Sequence, residues 1–102
     1  MTWYMIVRHK MRDWDTWKRE FDASEEMRSE WGLGAGQVCR NLDEPNEIAV
    51  TLECEDVERA RQFSRSDDLR QAMQRAGASD AKFYFMEELA HVPTPAHAHR
   101  RR

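Results

Sequence analysis

The stretch VRHKMRDWDTWKREFD, residues 7–22, contains the change of period that decides the fold. Upstream of it, residues 2–9 are apolar on both alternating faces. Trp3, Met5 and Val7 point one way, and Tyr4 and Ile6 the other, which predicts a strand covered on both sides. After Lys10 the spacing lengthens. Trp14, Trp17, Phe21, Ser24, Met27 or Arg28, and Trp31 recur at three and four with charges between them. That pattern predicts one amphipathic helix, with Asp13 as its cap and Asp15 in its first turn.

The glycines of WGLGAG then stop the helix. They follow a helix, not a strand, so they lack the order of a phosphate-binding loop and read as a C-cap and a loop. Residues 37–42 alternate loosely, DEPN at 43–46 makes a turn, and Ile48, Val50 and Leu52 alternate with Ala49, Thr51 and Glu53. An antiparallel hairpin follows from that spacing. A helical segment behind Asp56 presents Val57, Ala60 and Phe63. A second begins after Ser66, presents Leu69, Ala72, Met73 and Ala76, and ends at Gly77. The last strand, residues 81–89, sets Phe83 and Phe85 against Tyr84 and Met86.

The order strand, helix, strand, strand, helical segment, strand predicts an α+β, ferredoxin-like split βαβ domain over residues 1–90. Its four-stranded antiparallel sheet carries helices on one face. The second face would leave aromatic and long apolar side chains wet, at about 25 cal/mol per Å² of apolar surface. A two-fold homodimer that places a second sheet against the first is the expected solution, and two sheets closing on each other leave room for an internal cavity.

Composition narrows the function. The 102 residues make one domain, 34% charged and 40% hydrophobic, with four tryptophans. The net charge of -3 conceals a more acidic body, because three of the 16 basic residues are the terminal Arg100, Arg101 and Arg102. An acidic body argues against nucleic acid. Cys39 and Cys54 have no metal or redox spacing and are expected to be free, largely buried thiols of a reducing compartment. The N-terminal apolar run is too short for a signal peptide or a bilayer span, so a soluble cytoplasmic protein without membrane contact is expected. Residues 91–102 form a His/Pro/Arg tail that reads as flexible. His97 and His99, one residue apart, suit adventitious nickel or zinc, and no metal site is expected in the domain.

VRHKMRDWDTWKREFD, the turn DEPNEIAVTLEC, the segment ARQFSRSDDLRQAMQRAG and the close FYFMEEL together resemble the dimeric α/β-barrel superfamily. The nearest likeness is to small bacterial proteins labelled cyclases, near the antibiotic-biosynthesis monooxygenase (ABM) family. The resemblance implies a dimeric barrel and a cofactor-independent monooxygenase or cyclase that deprotonates an aromatic or polyketide-like small molecule. In such oxygenases asparagine, tryptophan and arginine surround the substrate. Here Trp14, Trp17 and Trp31 are available, while Asn41 and Asn46 lie at the hairpin rather than on the matching helix. Haem-degrading relatives use a helical histidine, and this chain has none between His9 and His91. No cofactor is expected.

Three residues are candidates for the chemistry. His9, at a strand end, is either a base for an acidic O–H or C–H or a structural residue hydrogen-bonded near the dimer seam or the helix start. Arg40 either holds a carboxylate or enolate or pairs with Glu53. Tyr84 either orients a phenol or carbonyl or packs beside Phe83 and Phe85. Trp17 and Phe21 are expected on the sheet, with Trp14 at the cavity entrance. The alternative to an enzyme is a non-catalytic dimeric ligand-binding or accessory protein.

Overall fold

The computed structural model describes residues 1–96. Its elements are β1 (Trp3–Met11), α1 (Trp14–Ala23), α2 (Glu25–Glu30), β2 (Leu33–Arg40), β3 (Glu47–Cys54), α3 (Val57–Ser64), α4 (Asp67–Ala76) and β4 (Ala78–Glu87). The strands form one antiparallel sheet in the order β2-β3-β1-β4. This is the expected ferredoxin-like arrangement, with the helices on one face.

Pairing settles which side of β1 meets the helices. Met5, Val7, His9 and Met11 are buried, and their partners on β3, from Leu52 through Val50 to Ile48, are buried with them. Phe83 and Phe85 of β4 lie opposite Val7 and Met5 on the same face. Phe63 of α3 and Trp17 of α1 close over this layer. Tyr4, Ile6, Arg8, Ala49, Thr51 and Tyr84 occupy the open face, which is therefore more polar than a run of aromatics would be.

Local chemistry explains the element ends. Asp13 accepts from the Thr16 amide, Asp56 from those of Glu58 and Arg59, and Ser66 from that of Leu69, so α1, α3 and α4 begin at side-chain caps. Gly77 closes α4 in the left-handed region at φ +74°.

Four details differ from the sequence expectation. The long helix is divided at Ser24, whose hydroxyl donates to the Glu20 carboxylate while its amide stays bonded to the α1 carbonyls. Serine competes with the helix for such bonds, so a break there costs little. The glycine stretch is not a loop beyond Gly32. Gly34 and Gly36 lie inside β2, where a Cβ on Gly36 would stand 1.8 Å from the Thr51 carbonyl oxygen. Cys39 is exposed, because it alternates onto the open face of the edge strand β2, whereas Cys54 is buried; both are free. Finally, β4 starts at Ala78 and carries a bulge: Asp80 and Ala81 stand between the pairs Lys10–Ser79 and Arg8–Lys82, opposite His9 alone. Asp80 has φ +56°, the left-handed conformation that such a bulge uses. His97, His99 and the terminal arginines lie outside the described residues.

Candidate functional site

A half-open cavity of about 70 Å³ lies between the sheet and the helices. Its floor is Met5, Val7 and His9 of β1 with Val50 and Leu52 of β3. Trp17 and Phe21 of α1 form one wall, and Leu69 and Met73 of α4 the other. Apolar positions at three and four on α1 and α4 put these side chains on the inward stripe, while β1 alternation brings His9 to the same side. Besides His9 on the floor, the polar residues lining the cavity are Glu20, Ser24 and Arg28, near the break between α1 and α2.

His9 is 3% exposed. Its Nε2 accepts a hydrogen bond of 2.9 Å from Trp17 Nε1–H. Its Nδ1 is buried and has no hydrogen-bond partner among the described residues. Burial holds the imidazole pKa below its ordinary value, with the Val7 carbonyl acting in the opposite direction. Trp17 belongs to an aromatic stack, 5.6 Å from Trp14 and 4.8 Å from Phe21 between ring centroids. Trp14, at 38% exposure, marks the outer end of that stack.

Arg28 sits over the Phe21 ring, 3.6 Å from its centroid, and donates to the Phe21 carbonyl at 2.6 Å. It forms no ion pair among the described residues. Burial lowers its pKa, and nearby Glu25 and Asp22 oppose that. A half-buried guanidinium with unused donors can hold an anionic oxygen at the cavity mouth. Glu20 is already committed, since it accepts from Arg75 of α4 at 3.0 Å and from Ser24.

The three candidates from the sequence are not brought together. His9 lines the cavity. Arg40 shares the helix-side face with His9, since both pair with Ile48, but it lies at the end of edge strand β2 and lines an adjoining groove with Trp14. It makes no ion pair with Glu53, which sits at the other end of β3. Tyr84 pairs with Ile6 on the opposite face and does not line this cavity. Trp17 joins the site through its hydrogen bond to His9. Arg28 joins it by position, and its place seven residues after Phe21 on the inward stripe was the signal for it.

The volume constrains any occupant. A cavity of about 150 Å³ holds one benzene, so about 70 Å³ admits the edge of a single ring. The rest of a larger molecule must lie across the mouth, where Met27 and Met73 have flexible side chains that adapt to shape.

No family model matches the chain, and no curated protein does. Solved structures do. An assigned antibiotic biosynthesis monooxygenase from Bordetella bronchiseptica superposes with a TM-score of 0.72 at 9% identity, covering 87% of this chain and 98% of that one. SnoaB, a cofactor-independent oxygenase from Streptomyces nogalater, gives 0.70 at 10% identity, covering 91% and 98%. An assigned antibiotic biosynthesis monooxygenase from Deinococcus radiodurans gives 0.61 at 12% identity, covering 92% and 99%. The chain thus has the ferredoxin-like fold of the antibiotic biosynthesis monooxygenase structures, over nearly the whole length of each.

Proposed function

We propose that this protein is a cofactor-independent oxygenase acting on an acidic aromatic or polyketide-like molecule whose reactive edge enters the cavity beside His9. The observation that carries the reading is a buried histidine with one unpartnered nitrogen in a mostly apolar chamber, on a fold shared with SnoaB. Buried polar atoms are nearly always paired, and the exceptions concentrate where a ligand completes the set.

The chemistry follows from the walls. An anthrone-like substrate loses a proton to become an enolate, and its ring is held edge-on between Trp17, Phe21 and the sheet. The carbon bearing the electron pair bonds to dioxygen. The resulting peroxide collapses to a carbonyl and water, so a CH₂ group and O₂ become C=O and H₂O. His9 and Arg28 would hold the charged oxygen of the enolate at two points, and Trp14 and Arg40 would receive the part projecting from the mouth. Tyr84 belongs to a different region of this proposal. With Ile6, Tyr4 and Thr51 it would line a two-fold seam between two sheets, making the working form a homodimer in the cytoplasm.

Oxygen uptake with a panel of anthrones and acidic naphthols is the test. Consumption of one O₂ per product carbonyl supports the reading, and the absence of uptake across the panel refutes it. The small volume favours one other reading, a ligand-binding protein without turnover. It would retain an aromatic acid unchanged in native mass spectrometry.

A further inference from the structure

An indole nitrogen can only donate, so the atom that accepts from Trp17 Nε1–H must be a bare imidazole nitrogen. In the neutral ring the proton then resides on Nδ1. We infer that Trp17 fixes His9 in the Nδ1–H tautomer, so that His9 serves the bound molecule as a hydrogen-bond donor to an anionic oxygen and not as a base. The site accordingly takes an oxygen acid, a phenol or enol, as its anion. This deepens the oxygenase reading and rests on it only for the identity of the ligand.

Several observations converge on this assignment. Nδ1 is buried without a partner, on a ring that lines the cavity, so the tautomer leaves an unsatisfied N–H beside it, which costs stability unless an acceptor arrives. Protonating the ring would set an Nε2–H against the Trp17 N–H, a donor facing a donor. The stack of Trp14, Trp17 and Phe21 keeps the indole from turning away. The charged groups lining this cavity are Glu20 and Arg28, near the break between α1 and α2. Glu20 is held by Arg75 and Ser24, and α3 and α4 contribute only apolar side chains to the lining. None of these side chains offers Nδ1–H an acceptor, and the Val7 carbonyl, though near enough to favour the protonated ring, makes no hydrogen bond to Nδ1. Proton removal from the ligand is therefore left to solvent at the half-open mouth, which selects molecules acidic enough to ionise near neutral pH.

Trp17 is thus a positioning residue, and the test must read the tautomer itself. Nitrogen-15 NMR of the full chain should show the His9 proton on Nδ1, and Trp17→Phe should let the Nε2–H form appear. Then 4-nitrophenol, a one-ring phenol with a coloured anion, is titrated into wild type, His9→Asn and His9→Leu. The asparagine amide occupies the Nδ1 position and can still donate. Wild type and His9→Asn should bind the phenolate and lower the phenol's pKa, while His9→Leu should bind it about 10- to 100-fold more weakly, as for loss of a hydrogen bond to a charged group. A wild-type proton on Nε2, an unmoved Nδ1–H resonance on addition of the phenol, or equal phenolate affinity in His9→Leu would overturn the inference. Failure of the oxygenase reading would show separately, as a correct tautomer and phenolate binding with no oxygen uptake.

Discussion

Trp17 Nε1–H donates to His9 Nε2 across 2.9 Å, joining the first helix to the floor of the cavity by a buried polar contact. The bond makes these two residues one unit energetically. Replacing Trp17 with phenylalanine leaves Nε2 buried and unpaired as well as Nδ1. The expected loss is about 2–3 kcal/mol, read as a lower urea midpoint with an unchanged slope.

The depressed pKa of His9 gives stability a pH dependence of known sign. The unfolded chain takes up a proton near the ordinary value of about 6.5, before the folded chain does. Stability contributed by the neutral ring is complete above that value and falls as pH drops toward the folded pKa. Melting temperature should therefore decline below about pH 6.5 in wild type, with a shallower decline in His9→Asn.

The two glycines of β2 should behave oppositely. A Cβ at Gly36 meets the Thr51 carbonyl oxygen and the Leu52 Cα, both main-chain atoms that cannot move without breaking the β2–β3 ladder. Gly36→Ala should cost about 3 kcal/mol or more in chemical denaturation. Gly34 has nothing within 4 Å of its Cβ position, so Gly34→Ala should stay within about 0.5 kcal/mol.

Arg28 and Arg40 separate two parts of the proposed site. Arg28→Gln should weaken binding of the 4-nitrophenol anion by about ten-fold, the loss of one charge-assisted hydrogen bond. Arg40→Gln should leave this one-ring probe's affinity within about two-fold, since losses below about 0.4 kcal/mol are small on this scale. Isothermal titration at pH 8 distinguishes them.

The open sheet face carries the remaining prediction. Ile6 and Tyr84 stand opposite each other there, and Ile6→Lys should convert a dimer into a monomer in sedimentation while leaving the sheet folded. A monomeric wild type at low micromolar concentration would remove the seam from the proposed function.

How much of this was legible in the sequence differs by region. The helix α1 was, because Trp14, Trp17 and Phe21 follow its period and Asp13 caps it. The strand β3 was, because its alternation is strict. The side of β1 that carries His9 was not, because both of its faces are apolar and only pairing with β3 and β4 distinguishes them. The role of Trp17 was hidden for a related reason: periodicity places its ring on the sheet but says nothing of where its N–H points. Tyr84 and His9 look like neighbours in a list of candidates, yet the pleat sends them to opposite sides.

The two residues of β4 that face His9 alone put the halves of that strand out of step. Toward the start, even-numbered Ala78 looks to the helices; beyond the insertion, odd-numbered Phe83 and Phe85 do. Straightening the strand with Asp80 and Ala81 both kept in a simple alternation would invert everything after them. Two phenyl rings would leave the interior, and Lys82 and Tyr84 would be driven in to replace them.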